Sequence, residues 1–218
     1  NMASMFKNSF LFNQPIANWN VSRVTSMHSM FNDAQEFNQP LQNWDVNSVV
    51  SMQSMFESAE AFNQPLDQWN VSAVADMTSM FESALLFNQP LNSWDVSSVT
   101  LMPSMFKGAA AFNDIIGNWN VGSVTNMKSM FEDASVFDQA IQNWATGEVL
   151  DMEEMFSGAT AFNQSIDPWD VSFVQTMESM FEDAITYDQT MNSWNVASVT
   201  TMEDMFNGAT AFNGTIDK

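Results

Sequence analysis

Methionine followed by phenylalanine recurs every 25 residues, at Met5-Phe6, Met30-Phe31, Met55-Phe56 and on to Met205-Phe206, with no insertion anywhere. A second methionine column stands three residues earlier, from Met2 and Met27 to Met202, and only Met191 lies outside the two. All eight tryptophans share one column, Trp19 to Trp194, and the remaining aromatic column runs from Phe12 to Phe212 with Tyr187 as its single tyrosine. A period this strict requires a stacked array, because one unit cannot bury its own apolar face whereas piled units bury each column against its copies. We expect a single repeat domain over residues 1–218, with eight to nine coils. At about 4.7–4.9 Å per parallel strand its body is on the order of 40 Å long.

Within a unit, Val24, Met27, Met30, Phe31 and Ala34 have the spacing of a short helix with one buried stripe. Ser22 or Thr25 is placed to cap that helix, and Thr200 with Glu203 could form a capping box. Gly108, Gly158 and Gly208, where other units carry Asp33, Ser58 or Asp133, suit a left-handed turn at its end. Pro15, Pro40, Pro65 and Pro90 then stop any helix. Trp44 and Val46 flank Asp45 in an alternation that predicts a short strand. The expected class is therefore α/β, an open leucine-rich-repeat-like solenoid of strand–turn–short helix coils.

Composition narrows the function classes. Twenty-six acidic against five basic residues give a formal charge of -21, which excludes a lysine- or arginine-lined phosphate track and so argues against nucleic acid or anionic membranes. With no cysteine there is neither a disulfide nor a thiolate metal site. No apolar run is long enough to span a bilayer. The chain opens inside a repeat, at Asn1, and reads as a fragment of something longer.

The segments "MFNDAQEFNQPLQNWDVNSVVSM" (Met30 to Met52), "MFESALLFNQPLNSWDVSSVTLM" (Met80 to Met102) and "MFEDAITYDQTMNSWNVASVTTM" (Met180 to Met202) resemble the repeat of BspA-type leucine-rich-repeat surface proteins, the 25-residue class of mycoplasma-type surface lipoproteins. The resemblance covers essentially the whole chain. It implies an open solenoid at a cell surface or outside the cell, with adhesion and protein binding as its roles, and it carries no catalytic residues. Departures gather in the C-terminal half, where Asp114-Ile115 replaces glutamine-proline and "NWATGEV" (Asn143 to Val149) loses a valine.

Each candidate column has a structural reading beside the functional one. The methionine and phenylalanine columns read as core, since thioethers fill irregular gaps and meet aromatic edges well. The tryptophans read as buried, with an exposed platform for sugar rings as the alternative. The column Asn13, Asn38, Asn63 and onward reads as amide or Asx-turn hydrogen bonding. The binding candidate is the polar row Asn20, Asp45, Asn70, Asp95, Asn120, Asp170 and Asn195, expected to project from the strand face toward a protein or glycan partner, or toward another copy of the chain. Calcium is a weak reading, because it takes six to eight oxygens around one point and each coil offers one. Glu153, Glu154, Glu178, Glu203 and Asp204 read as solubilising surface, and His28 stands alone. Four sequons, at Asn20, Asn70, Asn163 and Asn213, could accept glycans in a eukaryotic secretory pathway, and the repeat consensus generates some of them by itself.

No cofactor, metal site or catalytic constellation is expected, and the leading function is non-enzymatic binding or adhesion through the strand face. Two rivals stand beside it. One is a structural spacer or self-assembling filament or coat element. The other is an ice-binding solenoid, which wants a regular threonine row where this chain has Thr25, Val50, Ala75, Thr100, Thr125, Leu150, Gln175 and Thr200.

Overall fold

The structure is a computed structural model, and it describes residues 1–216. Its coils are numbered here from residues 1–25 onward, 25 residues each. Like side chains pile over like. Met27, Met30, Phe31, Ala34 and Phe37 are fully buried, as are their equivalents through coil 7, in one hydrophobic core that runs from Ile16 to Met205. Burying the flat rings in register gives two continuous stacks. Rings of the Phe31 column follow one another at 5.5–5.8 Å, and those of the Phe37 column at 5.7–6.2 Å.

The α/β expectation is overturned: among the described residues there is no helix, and extended pairing shrinks to isolated parallel bridges such as Ser26 to Ser51 and Ser51 to Asp76. Where a helix was expected, the backbone makes consecutive turns over 28–33. Two residues per coil, four apart, sit in the left-handed region, Ser29 at φ 52° and Asp33 at 57° in coil 2. That conformation breaks the helical hydrogen-bond ladder. Instead the amides alternate. The N–H groups of Met30, Asn32 and Ala34 reach back three residues, to the carbonyls of Met27, Ser29 and Phe31 at 2.9–3.2 Å. Those of Met27, Ser29, Phe31 and Asp33 donate to the next coil, to Ser51, Gln53, Met55 and Glu57 at 2.8–3.1 Å. With the His28 N–H donating to the Ser26 hydroxyl at 3.4 Å, every backbone donor over 27–34 is paired without a regular element.

The expected strand at Trp44–Val46 is absent too. Here the chain turns on itself: the Trp44 N–H donates to Leu41 at 3.0 Å and that of Val49 to Val46 at 2.9 Å. Distance explains it. Successive tryptophan rings are 6.1–6.5 Å apart, wider than the roughly 4.8 Å that parallel-strand hydrogen bonding allows. Ring spacing widens from 5.5–5.8 Å in the Phe31 column to 6.1–6.5 Å at the indoles, so neighbouring coils stand farther apart at the tryptophans.

Candidate functional site

The polar row does not lie on a strand; it lies on a line of Asx turns. In each member the side-chain Oδ1 accepts the backbone N–H two residues on, an interaction that asparagine and aspartate make readily. Asn20 accepts from Ser22, Asp45 from Asn47, Asn70 from Ser72, and Asp95 from Ser97, at 3.1–3.2 Å. Asn120 accepts from Gly122, Asp170 from Ser172, and Asn195 from Ala197, at 3.0–3.2 Å. All seven residues are exposed. The Ser97 hydroxyl adds a 2.6 Å bond to Asp95 and, with the Ser97 amide, holds that carboxyl below the usual carboxylate range. One oxygen of each row aspartate is thus structural, while the second has no hydrogen-bond partner among the described residues.

The negative charges of the row fall at Asp45, Asp95 and Asp170, and the first two are separated by two coil steps. With a step of 6.1–6.5 Å at the neighbouring indoles, these carboxylates cannot share one calcium ion, whose ligands sit about 2.3–2.6 Å from the metal. Among the described residues no group of three or more His, Asp or Glu side chains is placed to hold a metal ion.

The other candidate columns are structural. The indole N–H of Trp44 donates to the Ile16 carbonyl of the preceding coil at 3.2 Å, and that of Trp94 to Leu66 at 3.0 Å. Trp44 to Trp194 are 2–4% exposed, so they offer no ring face to a sugar. The asparagine column is a side-chain ladder: Asn63 Oδ1 accepts both the Asn88 N–H at 3.0 Å and the Gln89 amide at 2.8 Å. Asp138 does the same for Asn163 and Gln164. In the acidic cluster Lys128 bridges to Glu153 at 2.6 Å and Ser129 donates to Glu154 at 2.9 Å, both between neighbouring coils. The hydrogen bond to Glu153 raises the Lys128 pKa, whereas burial raises that of Asp151. His28 is half-buried beside Ser29.

One further surface lies outside the repeated columns. The turns at 10–11, 35–36, 60–61 and 85–86 align into a shallow concavity of about 580 Å³, lined by Phe10, Leu11, Gln35, Glu36, Glu60, Ala61, Leu85 and Leu86. Its signal in the sequence is a pair of apolar residues where neighbouring units carry polar or small ones, a difference between coils that the shared columns do not show.

Fold and surface together define a repeat protein: a solenoid of turns held by inter-coil hydrogen bonds, with a polar row along one flank. The chain belongs to DUF285, described as a Mycoplasma protein family of unknown function, whose model matches residues 1–91, 66–164 and 137–218. No curated protein matches it. Among solved structures, an internalin (inlF) from Listeria monocytogenes is similar at 6% identity with a TM-score of 0.18, over 85% of this chain and 75% of that one; a likeness so slight carries no argument. No helix among the described residues is long and apolar enough to cross a membrane.

Proposed function

We propose that this chain is a non-enzymatic repeat scaffold of the cell surface or extracellular space, of the BspA-like kind, which binds a protein or glycan partner through its polar row. One observation carries the reading: exposed asparagine or aspartate stands at the same position in seven of the first eight coils, with Ala145 as the one gap. Repetition turns weak contacts into avidity, since each further engagement becomes intramolecular. The row's Asx turns hold it rigidly, which lowers the ordering cost of binding. No catalytic role is assigned, because the row's carboxylates stand two or more coils apart and catalysis requires converging groups.

The test is the triple variant Asp45→Lys, Asp95→Lys and Asp170→Lys, compared with the native chain on arrays of immobilised glycans and extracellular-matrix proteins. Partners retained by the native chain should lose at least about tenfold in affinity to the variant, since like-charge placement disrupts a complementary face. Unchanged binding by a variant of native circular dichroism would reject the row. A spacer or filament is the second reading, favoured by the inter-coil hydrogen bonds that tie each coil to the next. Filaments that lengthen with concentration in electron micrographs would support it.

A further inference from the structure

The groove along coils 1 to 4 is a surface that the solenoid does not require. Leu11 is 82% exposed, Leu86 57%, Phe10 50% and Leu85 41%. Coils 5, 6 and 7 manage the same turn with Ala110-Ala111, Ser135-Val136 and Thr160-Ala161. Large exposed apolar side chains that the fold does not need, gathered at both ends of one concavity, mark an interaction site. Between the two apolar pairs stand Glu36 and Glu60, and no lysine or arginine lines the groove.

Its floor is fixed. The N–H groups of Glu36, Ala61 and Leu86 donate to the carbonyls of Phe10, Gln35 and Glu60 at 3.0, 3.0 and 3.2 Å, and the Gln35 side chain donates to Glu60 Oε1 at 3.2 Å. Farther along the solenoid this edge is held by hydroxyls instead, with Thr160 donating to the Ser135 carbonyl and Thr186 to that of Thr160. The pinned backbone therefore coincides with the apolar pairs.

We propose that the groove binds an extended, basic-amphipathic segment of another protein, with one apolar anchor on Phe10-Leu11, one on Leu85-Leu86, and lysine or arginine between them facing Glu36 and Glu60. Charge complementarity selects this occupant. A net charge of -21 attracts a cationic segment from a distance and repels a second copy of the chain. The depth selects its conformation, because a shallow trough suits a single extended chain better than a helix about 10 Å across. Spacing sets its length. Coil steps of 5.7, 5.9 and 6.0 Å at the adjacent Phe12–Phe87 rings separate the pairs by about 18 Å, which an extended chain rising about 3.3 Å per residue covers in five residues.

The probe is a fluorescein-labelled peptide, Leu-Leu-Lys-Ser-Lys-Leu-Leu, titrated with the 218-residue chain and followed by anisotropy. We expect saturable binding that weakens with added salt, and at least about tenfold loss for Leu11→Ser with Leu86→Ser, or for Glu36→Lys with Glu60→Lys. Versions of the peptide with glutamate for lysine, or serine for leucine, should not bind. Asp45→Lys with Asp95→Lys should leave peptide binding intact, which keeps this site separate from the polar row. The variants sit at exposed positions except for the half-buried Glu60, and an unchanged melting midpoint verifies that they fold. No binding at millimolar peptide, equal binding of the glutamate version, insensitivity to the groove variants, or a dimer through Leu86 in sedimentation velocity would each overturn the proposal.

Discussion

Tyr187 is the one polar intruder in the phenylalanine column. It stacks between Phe162 at 5.9 Å and Phe212 at 6.2 Å, fully buried, and its hydroxyl finds no partner. An unpaired buried hydroxyl is a net cost, so Tyr187→Phe should stabilise the chain by about 1 kcal/mol, read as a higher melting midpoint. Burial, and then the charge of Asp167, pushes the phenol well above its ordinary value near 10.0. The sign follows: above that value the unfolded chain gives up the proton while the folded chain keeps it, so stability falls as pH rises. The Phe variant should lose that part of the alkaline slope. Since Tyr187 is the only tyrosine, tyrosinate absorbance should appear in the native chain only as it unfolds.

One coil is held to the next by the side-chain ladder as well as by backbone amides. Asn63→Ala strips partners from the Asn88 N–H and the Gln89 amide and should cost about 1–3 kcal/mol in chemical denaturation. Asn63→Asp should be nearly neutral, because Asp138 already accepts the equivalent pair of bonds. This ladder was legible in the sequence, as were the core columns and the left-handed turn at Gly108, Gly158 and Gly208, where φ is 64–72°. The regular elements were misread, for a physical reason. Met27, Met30, Phe31 and Ala34 point inward equally well from a helix and from a chain of turns, so apolar spacing does not separate the two. The distinguishing signal was the second left-handed position, serine at Ser29, Ser54 and Ser79, four residues ahead of the first. The strand was misread because alternation at Trp44–Val46 says nothing of the coil spacing that strand pairing needs. The polar row was picked out as an exposed line, but its capping role depends on a turn that alternation concealed.

Across the whole molecule, stability is the sum of near-identical coil contacts. Deleting residues 126–150 joins Thr125 to Asp151 in register, and the shortened chain should retain its circular dichroism and melt cooperatively at a lower temperature. Deleting residues 126–149 leaves one residue too many, forcing methionine and phenylalanine out of their columns, and should abolish the cooperative melt. The apolar pairs of the groove survive both deletions, since they belong to coils 1 to 4. Because any junction between coils is chemically interchangeable with any other, recombination between mispaired copies within the coding sequence can lengthen or shorten the protein by whole turns of the spiral. Reach becomes a heritable variable that changes in one genetic event, while the architecture stays the same.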